Sequence, residues 1–227
     1  MSSPERENSP QGPLVWYASY GSNLSYEGRF MCYIAGGTPV GAEKANPGSR
    51  DKTRPLDIKP ILFNWDLYFA DYSKSWGGAP GFIRQGRPNA VTYGRMYLIS
   101  DDQFNDVVLQ ENGRSVDGTR FIPVFEQLKK GSEFILPGSG LYGKLVKVGQ
   151  EVGYPIFTFT TYRDLKIGAP SEAYLKIIIA GIKETYPAMT NQEICAYLMG
   201  TDGVRNNISP EQMALWVRET GLVAPHK

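Results

Sequence analysis

Histidine is nearly absent: among 227 residues there is one, His226, beside the carboxyl terminus. Ser-His-Asp and Cys-His arrangements, a His-rich catalytic zinc site and a histidine general base would all have to rest on that single residue. An enzyme built on this chain therefore takes its acid–base group from a carboxylate, a tyrosine or a lysine. Cysteine is scarce too. Cys32 and Cys195 lie far apart with no CxxC partner, which excludes a disulfide framework and a thiolate metal site and fits a reducing, cytoplasmic setting. No charge sign dominates: Lys+Arg 24 against Asp+Glu 23 gives a net charge of +1, so neither nucleic acid nor an anionic membrane is an expected partner. No apolar run approaches the roughly 20 residues that span a bilayer. Residues 1–13 are rich in Ser, Pro, Glu and Gln and lack an apolar core, so a disordered tail is expected there instead of a signal peptide.

What the chain does have is a β-prone run that stops abruptly. Val15, Trp16, Tyr17 and Tyr20 are β-branched or aromatic and suit a strand. Gly21, Ser22 and Asn23 then form a small polar turn leading to a short helical stretch, Ser25 to Phe30. Such a strand–turn–helix start aims backbone N–H groups at one point, which attracts carboxylate or phosphate. It also occurs as an ordinary connection, and both readings stand at this level.

Further along, residues 36–60 are dense in Gly, Pro and charged residues and read as a long loop, with the length and glycine content of a lid over a site. Ile61 to Ala70 reads as one strand. Trp76-Gly77-Gly78-Ala79-Pro80 is a glycine-rich segment in which Gly78 either lets backbone approach a ligand or simply turns. Ala90 to Ile99 alternates as a strand, and Ser100-Asp101-Asp102-Gln103 has the form of a capping box. The helix it opens carries Phe104, Val107 and Val108 on one face, and the next position on that face is Glu111. Asn112-Gly113 stops the helix. Burial, the negative helix end and a shortage of nearby cations would all favour the protonated carboxyl, making Glu111 a proton acceptor near neutral pH unless it snorkels to the surface.

Strands are predicted at Phe121 to Phe125, Leu145 to Val148 and Ile156 to Tyr162, with a turn-rich connection from Gly131 to Gly143. Ser171 caps a helix running to Thr185, in which Tyr174 either lines a site or fills the core. Thr190-Asn191-Gln192-Glu193 and Ser209-Pro210-Glu211-Gln212 start two more helices. The pattern predicts an α+β fold around a strongly curved mixed sheet or barrel with flanking helices. The division expected is a tail over 1–13, a domain over 14–186 and a helical extension over 187–227 packed on it.

Taken together, these blocks resemble the gamma-glutamylcyclotransferase family. Tyr20-Gly21-Ser22-Asn23-Leu24 resembles its Tyr-Gly-Ser-Asn signature, and Trp76 to Pro80 its Gly-Gly segment. Gly94-Arg95-Met96-Tyr97 resembles the strand before its catalytic helix, Gln110-Glu111 falls where its catalytic glutamate sits, and Pro170 to Ile178 resembles its late Pro-Ser-x-x-Tyr helix. The resemblance implies a barrel-like mixed fold in which the turn binds the substrate's glutamyl carboxylate, Glu111 moves protons, and Tyr20, Gly21, Ser22, Asn23, Leu24, Gly78 and Tyr174 bind substrate. Ser19 stands where Ala is usual, Phe157 where some members carry a site tyrosine, and the 38–60 loop and the helices after Glu184 are additions.

The implied reaction closes a γ-glutamyl group to 5-oxoproline and releases an amino acid or amine, with a small γ-glutamyl compound as the partner and neither cofactor nor metal. A different class of function is a non-catalytic relative that keeps the pocket for a carboxylate or docks a partner with its extra helices. A buried-side Glu111 favours the enzyme, because a pure anion binder gains nothing from a second negative charge. A metal hydrolase or zinc deacetylase would lack ligands.

Overall fold

The computed structural model describes residues 12–42, 44–117 and 124–222. Residues 1–11 of the expected 1–13 tail, and His226, lie outside them. β1 (Leu14–Ser19) is the central strand, with a burial pattern that leaves only Leu14 partly open. β5 (Thr92–Ser100) pairs antiparallel to it from Leu14↔Ser100 to Ser19↔Arg95. β8 (Tyr154–Thr160) pairs parallel on its other side, Trp16 facing Ile156. With β2 (Asp57–Phe63), β6 (Glu133–Ile135) and β7 (Lys144–Glu151), the sheet order is β2-β5-β1-β8-β7-β6. β3 (Asp66–Phe69) and β4 (Gly81–Arg84) form a separate two-stranded unit.

The fold is thus α+β with a mixed sheet, but the sheet is open, with edges at β2 and β6, and the barrel alternative does not form among the described residues. Both faces are covered, which is why β1 reads as a near-continuous apolar run. Because side chains alternate, Trp16 and Ala18 join one core with Ile177, Ile178, Leu198, Met213 and Val217. Val15 and Tyr17 join the other with Phe104, Val107, Val108 and Leu128. The helices are α1 (Met31–Ile34), α2 (Asp101–Glu111), α3 (Val124–Lys130), α4 (Glu172–Thr185), α5 (Asn191–Met199) and α6 (Pro210–Glu219). No helix of the described residues is long and apolar enough to cross a membrane.

Local signals account for most helix starts. Ser100 Oγ accepts from Gln103 N at 3.1 Å while Gln103 Oε1 accepts from Ser100 N at 3.1 Å, completing the box. Thr190 and Glu193 do the same, whereas at Ser209 only the serine half forms. Ser100→Ala removes an acceptor from a fully buried cap and is expected to cost about 1 kcal/mol, or about 2–4 °C in Tm by thermal denaturation.

Three expectations need correction. The run 61–70 is two strands, β2 and β3, broken at Asn64-Trp65, and β2 begins early enough to take in Pro60. Proline is tolerated there because β2 is an edge strand with no outer ladder to feed. Val124 and Phe125, read as strand, open α3, whose Val124 and Leu128 sit one turn apart and are buried; Phe121 to Pro123 lie outside the described residues. The connection 131–143 contains the short strand β6.

Candidate active site

β1 ends at Ser19 and the chain turns at Gly21 into a single 3-10 turn, Ser22–Leu24. At the far end of the same face, β5 delivers Ser100 beside Leu14 and α2 doubles back along the sheet. Eleven helical residues rise about 16 Å, close to the roughly 20 Å of a six-residue strand, so the last residue of α2 returns to the level of the turn. That residue is Glu111, and Asn23 Nδ2 donates to its Oε1 at 2.8 Å.

The two meet on the wall of a cavity of about 390 Å³. From β1 and its turn come Tyr17, Ser19, Tyr20, Gly21, Ser22 and Asn23; from the end of α2, Gln110, Glu111 and Asn112. Ser73, Ser75 and Trp76 reach in from the β3–β4 connection, Leu141 and Tyr142 from the β6–β7 connection, Phe159 from β8 and Tyr174 from α4. Arg29 and Tyr33 complete it.

Of the residues singled out in the sequence, Tyr20, Gly21, Ser22, Asn23, Glu111 and Tyr174 come together on this cavity. Leu24 and Gly78 do not. Leu24 is wholly buried, its N–H is spent on Gly21 O at 3.0 Å, and it packs where Gly181 lets α4 approach. Gly78 is a packing glycine, since a Cβ there would collide with the backbone of Ser171. The described residues of the 38–60 loop contribute nothing to the lining, and the loop is tied to α2 instead, Arg50 donating to Asp106. Phe157 lies in the core between Phe104 and Phe125, one alternation away from the lining residue Phe159.

Arg29 is the main residue missed by the sequence reading. It sits in a π-helical turn, Tyr26–Phe30, held by Phe30 N to Ser25 O at 3.0 Å. A single π turn carries more residues than an α turn, so 3.6-residue periodicity misplaces its side chains, and such turns recur at functional sites. Its guanidinium lies 4.9 Å from the Tyr33 ring centroid and 5.2 Å from that of Trp76, and its NH2 group donates to Tyr33 Oη at 2.7 Å.

Burial pushes the Glu111 carboxyl up from its ordinary value, against the pull of Arg29, Asn23 and Tyr33 toward the ionised form. The expected shortage of cations is therefore incorrect: Arg29 is the cation, and desolvation outweighs it. Around the carboxylate, three amides have their orientation fixed. Asn23 Nδ2 donates to Glu111 and Tyr17, Gln110 Nε2 to the carbonyls of Tyr33 and Asp106, and Asn112 Nδ2 to those of Val108 and Tyr142. Their oxygens, Asn23 Oδ1, Gln110 Oε1 and Asn112 Oδ1, are buried without a donor among the described residues, as is Arg29 Nε without an acceptor. Unpaired buried polar atoms are costly, and four of the nine found among the described residues belong to side chains of this one cavity wall.

A second layer holds the turn. Tyr97 Oη donates to Asn23 O at 2.6 Å and Arg95 to Leu24 O at 2.9 Å. Arg95 also pairs with Glu184 at 2.8 Å, and that carboxylate accepts from Ser25 Oγ and Tyr26 N. Tyr174 Oη accepts from Gly81 N at 3.1 Å, bridging α4 to β4 beside Gly21.

No family model matches the chain. Histone deacetylase 5 of Arabidopsis thaliana is 35% identical over 202 residues, which cover 81% of this chain and 30% of that protein, so the chain spans less than a third of the relative's length. A solved gamma-glutamyl cyclotransferase aligns at 19% identity and a TM-score of 0.49, covering 90% of this chain and 99% of its own. An uncharacterized protein from Homo sapiens aligns with the same identity and TM-score over 89% and 98%. A yeast gamma glutamyl cyclotransferase specific to glutathione aligns at 11% identity and a TM-score of 0.35 over 92% and 97%. In its sequence motifs the chain resembles the gamma-glutamylcyclotransferase family.

Proposed function

We propose that the chain is a γ-glutamylcyclotransferase-type enzyme that closes a γ-glutamyl group to 5-oxoproline and releases an amine or amino acid. The observation that carries this reading is Glu111: a carboxyl raised by burial, hydrogen-bonded to Asn23 on a cavity wall whose residues hold unpaired amide oxygens. The deacetylase name of the plant relative belongs to a protein of which this sequence matches 30%.

The chemistry needs a folded substrate and a proton carrier. The α-ammonium gives a proton to Glu111, and the freed amine attacks the γ-carbonyl carbon. The new C–N bond closes a five-membered ring, and holding the two ends together supplies the proximity. The resulting alkoxide collapses, breaking the bond from the γ-carbon to the leaving nitrogen. In all, two protons leave the α-nitrogen and two arrive at the leaving nitrogen, and one carboxyl relays them in sequence. Asn23, Gln110 and Asn112 give the wall beside Glu111 the polar character that suits an ammonium. The N–H groups opening the Ser22–Leu24 turn suit the oxygen that gains charge.

The test is 5-oxoproline release, followed by mass spectrometry, from γ-glutamyl dipeptides, glutathione and γ-glutamyl-ε-lysine across pH. Glu111 must be ionised to accept the first proton, so kcat/KM falls as pH drops through its value in the free enzyme. Because burial raises that value, the acid limb is expected above the ordinary glutamate value of about 4.3. No 5-oxoproline from any of these compounds, with no binding of 5-oxoproline itself, would contradict the reading.

A further inference from the structure

Two side chains carry formal charge among those lining the cavity: Glu111 and Arg29. A γ-glutamyl substrate presents the complementary pair on one carbon, an α-ammonium and an α-carboxylate. Resting on the cyclotransferase reading, we infer that Arg29, beside the turn to which the resemblance assigns the glutamyl carboxylate, is the specificity residue that holds that α-carboxylate.

Three observations carry the assignment. First, Arg29 is only partly exposed, makes no ion pair among the described residues, and leaves its buried Nε without an acceptor. A guanidinium in that state is an incomplete anion site, since a charge taken from water is ordinarily paired. Second, its guanidinium is held in advance, close to the Tyr33 and Trp76 rings and tied to Tyr33 Oη, so little freedom is lost when a planar carboxylate docks on it. Third, the supports come from separate elements. Tyr33 belongs to α1 and Trp76 to the β3–β4 connection, which also brings Ser73 and Ser75 to the cavity. Arg29 therefore links the β3–β4 connection to α1, and a carboxylate seated on it shares the cavity with the carboxyl that must take a proton from the neighbouring nitrogen.

Calorimetry with 5-oxoproline, with 2-pyrrolidinone, which is the same lactam without the carboxylate, and with glutarate separates this inference from the reading beneath it. Wild type is expected to bind 5-oxoproline about 10–100-fold more tightly than 2-pyrrolidinone, the gap set by a charge-assisted hydrogen bond. Arg29→Gln is expected to remove that gap and to raise KM for γ-glutamyl substrates more than it lowers kcat. The acid limb of kcat/KM also moves to higher pH, because a cation that holds Glu111 down is gone. If Arg29→Gln does not fold, Arg29→Lys carries the test: it keeps the charge, loses the fork, and should weaken 5-oxoproline while leaving 2-pyrrolidinone unmoved. Unchanged discrimination in the variants overturns the role of Arg29 and leaves the cyclotransferase reading intact. Arg29-dependent binding of glutarate without any binding of 5-oxoproline keeps the anion site and overturns the reading. A wild type that binds none of the three overturns both.

Discussion

Glu111→Gln lowers kcat for 5-oxoproline release by about 10²–10⁴-fold, the range supplied by a positioned general acid–base, with KM changed only a few-fold. Glutamine keeps the size of the side chain and an oxygen that still accepts from Asn23 Nδ2, so the cavity is preserved and only proton transfer is lost. The same substitution should stabilise the protein. A folded-state carboxyl raised above its unfolded value binds more protons when folded, so stability falls as pH rises through the window between the two values. Above that window the folded protein holds an unfavourably buried carboxylate, and removing it is expected to add about 0.5–2 kcal/mol there, read as a higher Tm. Lost turnover with raised Tm separates a catalytic loss from a damaged fold.

Arg95→Met is expected to cost about 3–5 kcal/mol, the usual result of leaving a buried ion unpaired. Arg95 and Glu184 have side chains 10% and 14% exposed and lie 2.8 Å apart. The arginine also donates to Leu24 O, so the substitution strips support from the turn that presents Ser22 and Asn23. A domain of this size loses about 2–4 °C of Tm per kcal/mol, which puts the expected drop at roughly 6–20 °C. Adding Glu184→Gln should recover part of it, since the orphaned charge is removed. A double variant no more stable than Arg95→Met alone would mean that the cost comes from packing and not from the unpaired carboxylate.

The parts of the site that were legible in the sequence are those set by neighbours a few residues away. A β-prone run stopping at Gly21, a capping box at Ser100 and one apolar stripe were enough to place Glu111 at the inner end of its helix. Its meeting with Asn23, 88 residues earlier, depended on a helix and a strand of matched length, and the 2.8 Å bond reports that they match. Arg29 was not legible because its turn is π-helical and no α-periodic template puts it on the cavity. The lining segment was misassigned for a different reason. Length and glycine content marked residues 38–60, but Arg50 anchors that loop on Asp106, and the shorter connection carrying Trp76 lines the site. Gly78 carried a real signal, close approach, whose object is the start of α4 instead of a ligand. At Val124, β propensity gave way to a helix that buries two apolar residues one turn apart.

Turnover in H₂¹⁸O tests the central claim most directly, because cyclisation and hydrolysis of a γ-glutamyl bond differ in whether water enters the product. In the cyclotransferase account the attacking atom is the substrate's own nitrogen, so mass spectrometry should find unlabelled 5-oxoproline, one released amine for each, and no glutamate. Glutamate carrying ¹⁸O in its γ-carboxylate would contradict it, for water would then be the nucleophile and Glu111 the base of a hydrolase.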